Sequence, residues 1–182
     1  MTDLHPLLGE ANVLFLTFDC LRHDVAVRAA EAGLLPFLPR PWEKRETPGT
    51  FTLPAHLAFF HGFLPTPLGP GPHPRLFALR FDGSLSTTSE TLVFDGVPDI
   101  VAGFAAAGYR TFCVGGVGFF NKLNPLGLVL PGFFQESAWS PALGVAAPDS
   151  TESQVATALD WLATVPGQER FFLFVNVSAT HP

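Results

Sequence analysis

The chain has 182 residues, 47% of them hydrophobic and 14% charged, which suits one folded domain with a real core and excludes an intrinsically disordered segment. Its net charge is −6, and its ten Lys and Arg are scattered along the sequence. Phosphate backbones need a clustered basic surface, so nucleic acid is excluded as the main partner. No apolar run reaches the length of a membrane span, and the first residues carry neither a cationic region nor a signal-peptide core. The expectation is a cytoplasmic protein with no membrane partner.

The first predicted element is a strand over Val13–Phe18, a run without apolar/polar alternation. That pattern suits a strand covered on both faces, as in the middle of a parallel sheet. It stops at Asp19. A carboxylate at the carboxyl end of a buried strand lies where open α/β sheets place their ligands. Asp also caps helices for ordinary reasons, and both readings stand at this point. Cys20 and Cys113 fall in apolar, strand-like segments and read as buried thiols rather than a disulfide. Residues 25–32 are Ala-rich and predict a short helix closed by Gly33. Residues 34–50, with Pro36, Pro39, Pro41 and Pro48, predict an irregular connection.

A second helix opens at Thr52-Leu-Pro-Ala-His56 and ends at Gly62, with Pro54 in its first turn, where a missing N–H costs nothing. Thr52 then lies at or just before a helix amino terminus. Unpaired N–H groups and the positive dipole end favour an anion there, although a plain capping threonine fits the same position. Residues 63–74 predict a loop, and residues 75–81 and 91–94 two short strands. Residues 98–107 predict a helix with Asp99 in its first turn and Gly108 closing it. Residues 110–114 predict a strand leading into Gly115-Gly116. Residues 116–132 are glycine-rich and hold Asn121, Lys122 and Asn124, without the spacing of a P-loop. The strongest helix signal covers residues 149–165, with Ser150 as its cap and Val155, Leu159 and Leu162 as its apolar face. A buried-type strand over residues 171–177 leads to His181-Pro182.

Strands alternating with helices give an α/β fold with a mostly parallel sheet and helices on both faces, in a single domain spanning residues 1–182. A chain that stops at the end of a central-type strand leads to the expectation that further chain completes the domain.

Four segments stand in a telling order: Asp19-Cys-Leu-Arg22-His-Asp24, Thr52-Leu-Pro54-Ala-His56 closing at Gly62, Gly108-Tyr-Arg-Thr-Phe-Cys-Val-Gly115, and the strand that leads to His181-Pro182. Together they resemble the alkaline phosphatase superfamily, in particular its sulfatase-like and phosphodiesterase-like branch. The resemblance implies a three-layer αβα sandwich, incomplete at the carboxyl end. It implies a metal-dependent hydrolase of phosphate, or related phosphonate or sulfate, esters, with a small-molecule substrate. Asp19 and Thr52 would hold a divalent ion such as Zn2+, Mn2+ or Ca2+. Thr52 would be the nucleophile, with His56 and His181 as further catalytic residues. The chemistry agrees, since a neutral hydroxyl is a poor nucleophile and coordination to a divalent metal lowers its pKa.

Arg22, Asn121 and Lys122 are the candidate substrate-binding residues. Ordinary roles stand beside these: Arg22 as the partner of Asp24, Asn121 and Lys122 as loop residues, His56 and His181 as structural histidines. Two departures matter. Sulfatases convert Cys or Ser to formylglycine, and Thr52 cannot be converted, which favours phosphate or phosphonate over sulfate. The family's later Asp-His-Gly segment and its further metal-binding His have no counterpart in these 182 residues. The alternative reading is a non-catalytic or truncated α/β module of the same fold without a complete metal site.

Overall fold

The structure, a computed structural model, describes residues 9–38, 42–62 and 97–181. The loop expected at 63–74 and the strands expected at 75–81 and 91–94 lie outside the described residues. Among the described residues four strands form one sheet: β1 (Val13–Phe18), β2 (Tyr109–Val114), β3 (Glu136–Ala138) and β4 (Arg170–Val177). All pair in parallel, in the order β1-β4-β2-β3. Five α-helices accompany them in the described residues: α1 (His23–Glu31), α2 (Thr52–His61), α3 (Ile100–Ala106), α4 (Pro125–Val129) and α5 (Ser150–Leu162). The protein is therefore α/β, as its sequence pattern predicts. None of the described helices is long and apolar enough to cross a membrane.

The strand order dictates the layering. From β1 the chain crosses to β2 through α2 and α3, and from β3 it returns in the opposite direction to β4 through α5. Parallel crossovers are right-handed, so opposite directions of travel put the connecting helices on opposite faces of the sheet. Two apolar clusters agree. On one face Leu53, Leu57 and Phe60 of α2 and Val101 of α3 pack with Tyr109, Cys113, Phe172 and Phe174. On the other, Ala158 and Trp161 of α5 pack with Phe112, Val114, Leu173 and Val175. Within each strand these sets alternate, as the pleat requires. The first cluster is built from phenylalanines: Phe174 meets Phe15, Phe60, Phe120 and Phe134 at centroid distances of 5.4–5.7 Å. Offset and edge-to-face contacts of this kind add to the burial of the rings.

β4 has a strand on either side, as its near-continuous apolar run demands. β1 does not. It lies at the edge of the sheet among the described residues, and Leu14, Leu16 and Phe18 remain exposed, Leu14 by 57%. An apolar run reports that a strand tolerates cover on both faces; it does not say which neighbour supplies the cover. Here α5 packs against β2 and β4, and the Leu14 face of β1 is left exposed among the described residues.

α5 also differs from its expected orientation. Of the expected face Leu162 packs against the core, but Val155 and Leu159 are 51% and 59% exposed, while Gln154, Ala158 and Trp161 are buried. A polar anchor decides the rotation. Gln154 Nε2 donates to the carbonyls of Gly115 (3.3 Å) and Asn176 (2.6 Å), and its Oε1 accepts from Ser178 N (3.4 Å). Trp161, seven residues on and on the same helical face, stacks on Phe112 at 4.7 Å. Asp149, not Ser150, is the N-cap residue, and neither offers a side-chain capping bond. Gly116 lies where this anchor crosses the ends of β2 and β4. A Cβ there would meet Asn176 O at 2.2 Å and Gln154 Nε2 at 2.8 Å, so only glycine fits.

Candidate active site

The register of the two neighbouring strands sets the site. Thr17 pairs with Asn176 and Phe18 with Val177, so β1 and β4 end at the same level. The chain beyond β1 stays tied to β4: Asp19 N donates to Val177 O (3.1 Å), and Thr180 Oγ1 donates to Asp19 O (2.5 Å). A backbone bond from His181 N to Ser178 O (2.9 Å) closes a turn after β4. Asp19 and its neighbour Cys20 thus meet the sequence-distant His181 at the carboxyl ends of parallel strands, where open α/β sheets bind ligands. One ligand-type atom from each lies within 4.8 Å of the others.

Thr52 completes the group. It is the first residue of α2, and Phe51 is the N-cap, in extended conformation and without a side-chain cap bond. The Thr52 hydroxyl is therefore not a capping group. It donates to Asp19 Oδ2 at 3.1 Å, since an ionised carboxylate only accepts. Gly62, with φ +77°, ends the helix in the left-handed conformation expected of a C-terminal glycine.

His56 lies behind the site. It is buried and ringed by Phe59, Phe60, Phe120 and Phe174 at 5.4–6.3 Å. Its Nδ1 is 2.7 Å from the Thr52 carbonyl oxygen, which can only accept, so Nδ1 carries the hydrogen. Nε2 then accepts from the Thr17 hydroxyl (3.2 Å). Thr17 Oγ1 in turn accepts from Asn176 Nδ2 (3.2 Å), and that amide also donates to Asp19 Oδ2 (3.3 Å). The imidazole therefore holds the backbone of Thr52 and does not touch its hydroxyl, which makes His56 a positioning residue.

Desolvation lowers the pKa of His56, outweighing the opposing effects of the Thr52 carbonyl and Asp19. The sign of the pH effect follows. The ring stays neutral in the folded protein while the unfolded chain takes up a proton below about pH 6.5. Its contribution to stability is complete above that pH and is lost as pH falls toward the depressed folded value, by up to about 1.4 kcal/mol per pH unit. Thermal melts of His56→Gln should show a shallower loss of stability between neutral pH and pH 5 than the parent protein. An unchanged slope would mean that His56 titrates normally.

Two residues at the site carried only faint sequence signals. Asn176, fully buried, is the one amide in the apolar run of β4, and its Oδ1 also accepts from Val117 N (3.1 Å). Cys20, expected as a buried strand thiol, is instead exposed and sits just beyond β1 with φ +61°. Its Sγ donates to Asp19 Oδ1 (3.3 Å). Desolvation, then the hydrogen bond and charge of Asp19, raise its pKa above the ordinary thiol value. Cys113 is buried in β2, and both thiols are free.

Two cavities meet over these groups. One, of about 580 Å³, is lined by Asp19, Cys20, Thr52, His56 and His181 together with Phe51 and Phe59. A smaller one, of about 200 Å³, shares Thr52, Phe119 and His181 and is otherwise bounded by Val117, Gly118, Asn124 and Leu126. The candidate substrate-binding residues do not line either one. Arg22 is exposed and makes a bidentate pair with Asp24, both bonds 3.0 Å. Asn121 and Lys122 border a different cavity beside Trp139, where Lys122 Nζ donates to Ser137 O and Oγ at 3.1 Å. Asn121 Oδ1 accepts from Leu123 N (3.0 Å).

A divalent ion fits the donors that remain. Asp19 is only 8% exposed, yet among the described residues it pairs with no Lys or Arg. A buried carboxylate held only by neutral donors is costly unless a cation compensates it. Carboxylate, imidazole, hydroxyl and thiol are all ligand types for divalent metals. Compared with protein-family models, with curated proteins and with solved structures, the chain matches none.

Proposed function

We propose that this protein is a metal-dependent hydrolase of phosphoric esters with an alkaline phosphatase-like fold, using Thr52 as its nucleophile. The observation that carries the reading is the buried Asp19 carboxylate, which pairs with no Lys or Arg among the described residues, with the Thr52 hydroxyl bonded to it at the uncapped start of α2. Asp19 and Thr52 would hold the metal, with His181 beside them. A bound metal supplies charge neutralisation and a lowered hydroxyl pKa.

The chain's own groups account for the rest. The hydrogen bond to Asp19 fixes the rotamer of Thr52, and His56 fixes its backbone. The free N–H groups at the start of α2 favour the anionic phosphoryl oxygens. Attack would form a bond from Thr52 Oγ to phosphorus, its proton passing to solvent, and would break the ester bond to the leaving alcohol, which takes a proton from water. Water then cleaves the phospho-threonine, restores the Thr52 hydroxyl and releases phosphate, or a phosphate monoester where the substrate is a diester. His181 borders both cavities, which suits it to serve as a further ligand of that metal.

One observation favours a second reading, a non-catalytic module of the same fold: no Lys or Arg lines either cavity among the described residues. Turnover separates the two. The full chain, assayed with Zn2+, Mn2+ and Ca2+ on an aryl phosphate, an aryl phosphodiester and an aryl sulfate, should hydrolyse at least one phosphate ester. That activity should vanish on chelation, and the sulfate should be left intact. No phosphate turnover with any of the three metals would favour the module.

A further inference from the structure

Of the described Asp, Cys and His residues that line the cavity of about 580 Å³, Cys20 is the one that ester hydrolysis by Thr52 leaves without a role. Its backbone is in the left-handed region, φ +61°. That conformation costs an L-residue with a Cβ roughly 1–2 kcal/mol, and glycine or asparagine enters it more readily. Strain of this kind gathers at functional sites. Here the conformation sets Sγ 3.3 Å from Asp19 Oδ1. It also brings Sγ, a carboxylate oxygen of Asp19 and a ring nitrogen of His181 within 4.8 Å of one another. The three come from the ends of two hydrogen-bonded strands, held in register by Asp19 N–Val177 O and Thr180 Oγ1–Asp19 O.

We propose that Cys20 is a metal ligand, and that Asp19, Cys20 and His181 together select Zn2+ over Ca2+ and Mg2+. The inference rests on the metal-dependent reading of the same cavity and gives that metal an identity. Ca2+ and Mg2+ take oxygen ligands, six or more in number, and gain nothing from sulfur or imidazole. Zn2+ takes sulfur, nitrogen and oxygen ligands together in a four-coordinate set, with bonds of about 2.0–2.3 Å. Ligand atoms around one such ion stand roughly 4 Å apart or less, so small side-chain rotations close the arrangement. A thiolate and a carboxylate cancel the ion's two positive charges, and the thiol proton passes to solvent on binding. The remaining position of the set falls to Thr52, whose hydroxyl is already turned to Asp19.

The full chain is stripped with a chelator and then loaded with Co2+ or Zn2+. Co2+ should produce a thiolate-to-cobalt charge-transfer band in the near ultraviolet, and Cys20→Ser should abolish it. Zn2+ affinity, measured by competition with a chromophoric chelator, should exceed Ca2+ affinity and should fall at least about 100-fold in Cys20→Ser, beyond the ~10–100-fold cost of losing an outer-shell partner. Zn2+ should also slow the reaction of the unsubstituted protein with a thiol reagent, a readout that needs no folded variant, since Cys113 is buried. Co2+ bound without the band, equal Zn2+ affinity in a folded Cys20→Ser variant, or tighter binding of Ca2+ than Zn2+ would overturn the role of Cys20 and leave a metal-dependent hydrolase standing. Binding of no divalent ion at all would overturn both.

Discussion

Asp19→Asn should abolish tight binding of divalent metal while leaving the fold intact. The amide is isosteric with the carboxylate, and its oxygen can take the place of Oδ2, accepting from Thr52 and Asn176. Its NH2 group would then face the Cys20 sulfur, a weak acceptor. What disappears is the charge. In the metal-free protein that charge is buried with no Lys or Arg partner among the described residues, so removing it should leave the melting temperature unchanged or raise it. Metal alters the comparison. At a concentration about 100-fold above its Kd, the ion adds about 2.7 kcal/mol to the parent protein and nothing to a variant that cannot bind it. Thermal melts with and without saturating Zn2+, alongside elemental analysis, read both effects. A metal-dependent rise of equal size in the two proteins would remove Asp19 from the ligand set.

The elements of this fold were legible where they follow from local chemistry. β1 and β4 are apolar runs stopped by Asp19 and Ser178. α2 is marked by Pro54 in its first turn and Gly62 after its last residue, and Asp99 caps α3 through a bond from Ala102 N (2.8 Å). β3 was not legible, because three residues, Glu136, Ser137 and Ala138, carry no periodicity and pair only because β2 presents an edge to them. The rotation of α5 is hidden for a related reason. A hydrophobicity pattern prefers Val155, Leu159 and Leu162 as the buried face, of which only Leu162 packs on the core, and has no means of weighing Gln154, whose amide bridges two strand ends.

The candidate site divides the same way. Asp19 and His181 each end a strand, and Thr52 starts a helix, so their places could be read one segment at a time. Their meeting depends on β4 inserting between β1 and β2, which is a property of the topology. Arg22, Asn121 and Lys122 have chemistry suited to a phosphate, yet the structure gives them other partners: Asp24, the backbone of Leu123, and Ser137. Asn176 shows the converse. A single amide in an apolar strand is easily taken for a tolerated exception, whereas here it links Val117, Thr17 and Asp19.

Thr52→Ala should cost turnover on the order of 10³–10⁶-fold, the scale at which loss of a catalytic nucleophile is measured. Its effect on stability should be small by comparison. Phe51, not Thr52, is the N-cap of α2, so no capping bond is lost. The substitution removes one hydrogen bond to a charged group, worth at most about 1.5–3 kcal/mol, and places a better helix former at the first helical position. Thr52→Ser keeps the hydroxyl and should retain part of the turnover, since the bond to Asp19 and the oxygen that attacks both survive. Three measurements on the full chain decide the matter: turnover, a thermal melt for each variant, and mass spectrometry of an acid-quenched reaction. A phosphate on Thr52 should appear in the parent protein and in Thr52→Ser at residue 52, and should be missing in Thr52→Ala. Turnover in Thr52→Ala within about tenfold of the parent, in a protein that melts at a similar temperature, would show that water attacks phosphorus directly. Asp19 would then remain as a metal ligand at a site whose nucleophile comes from solvent.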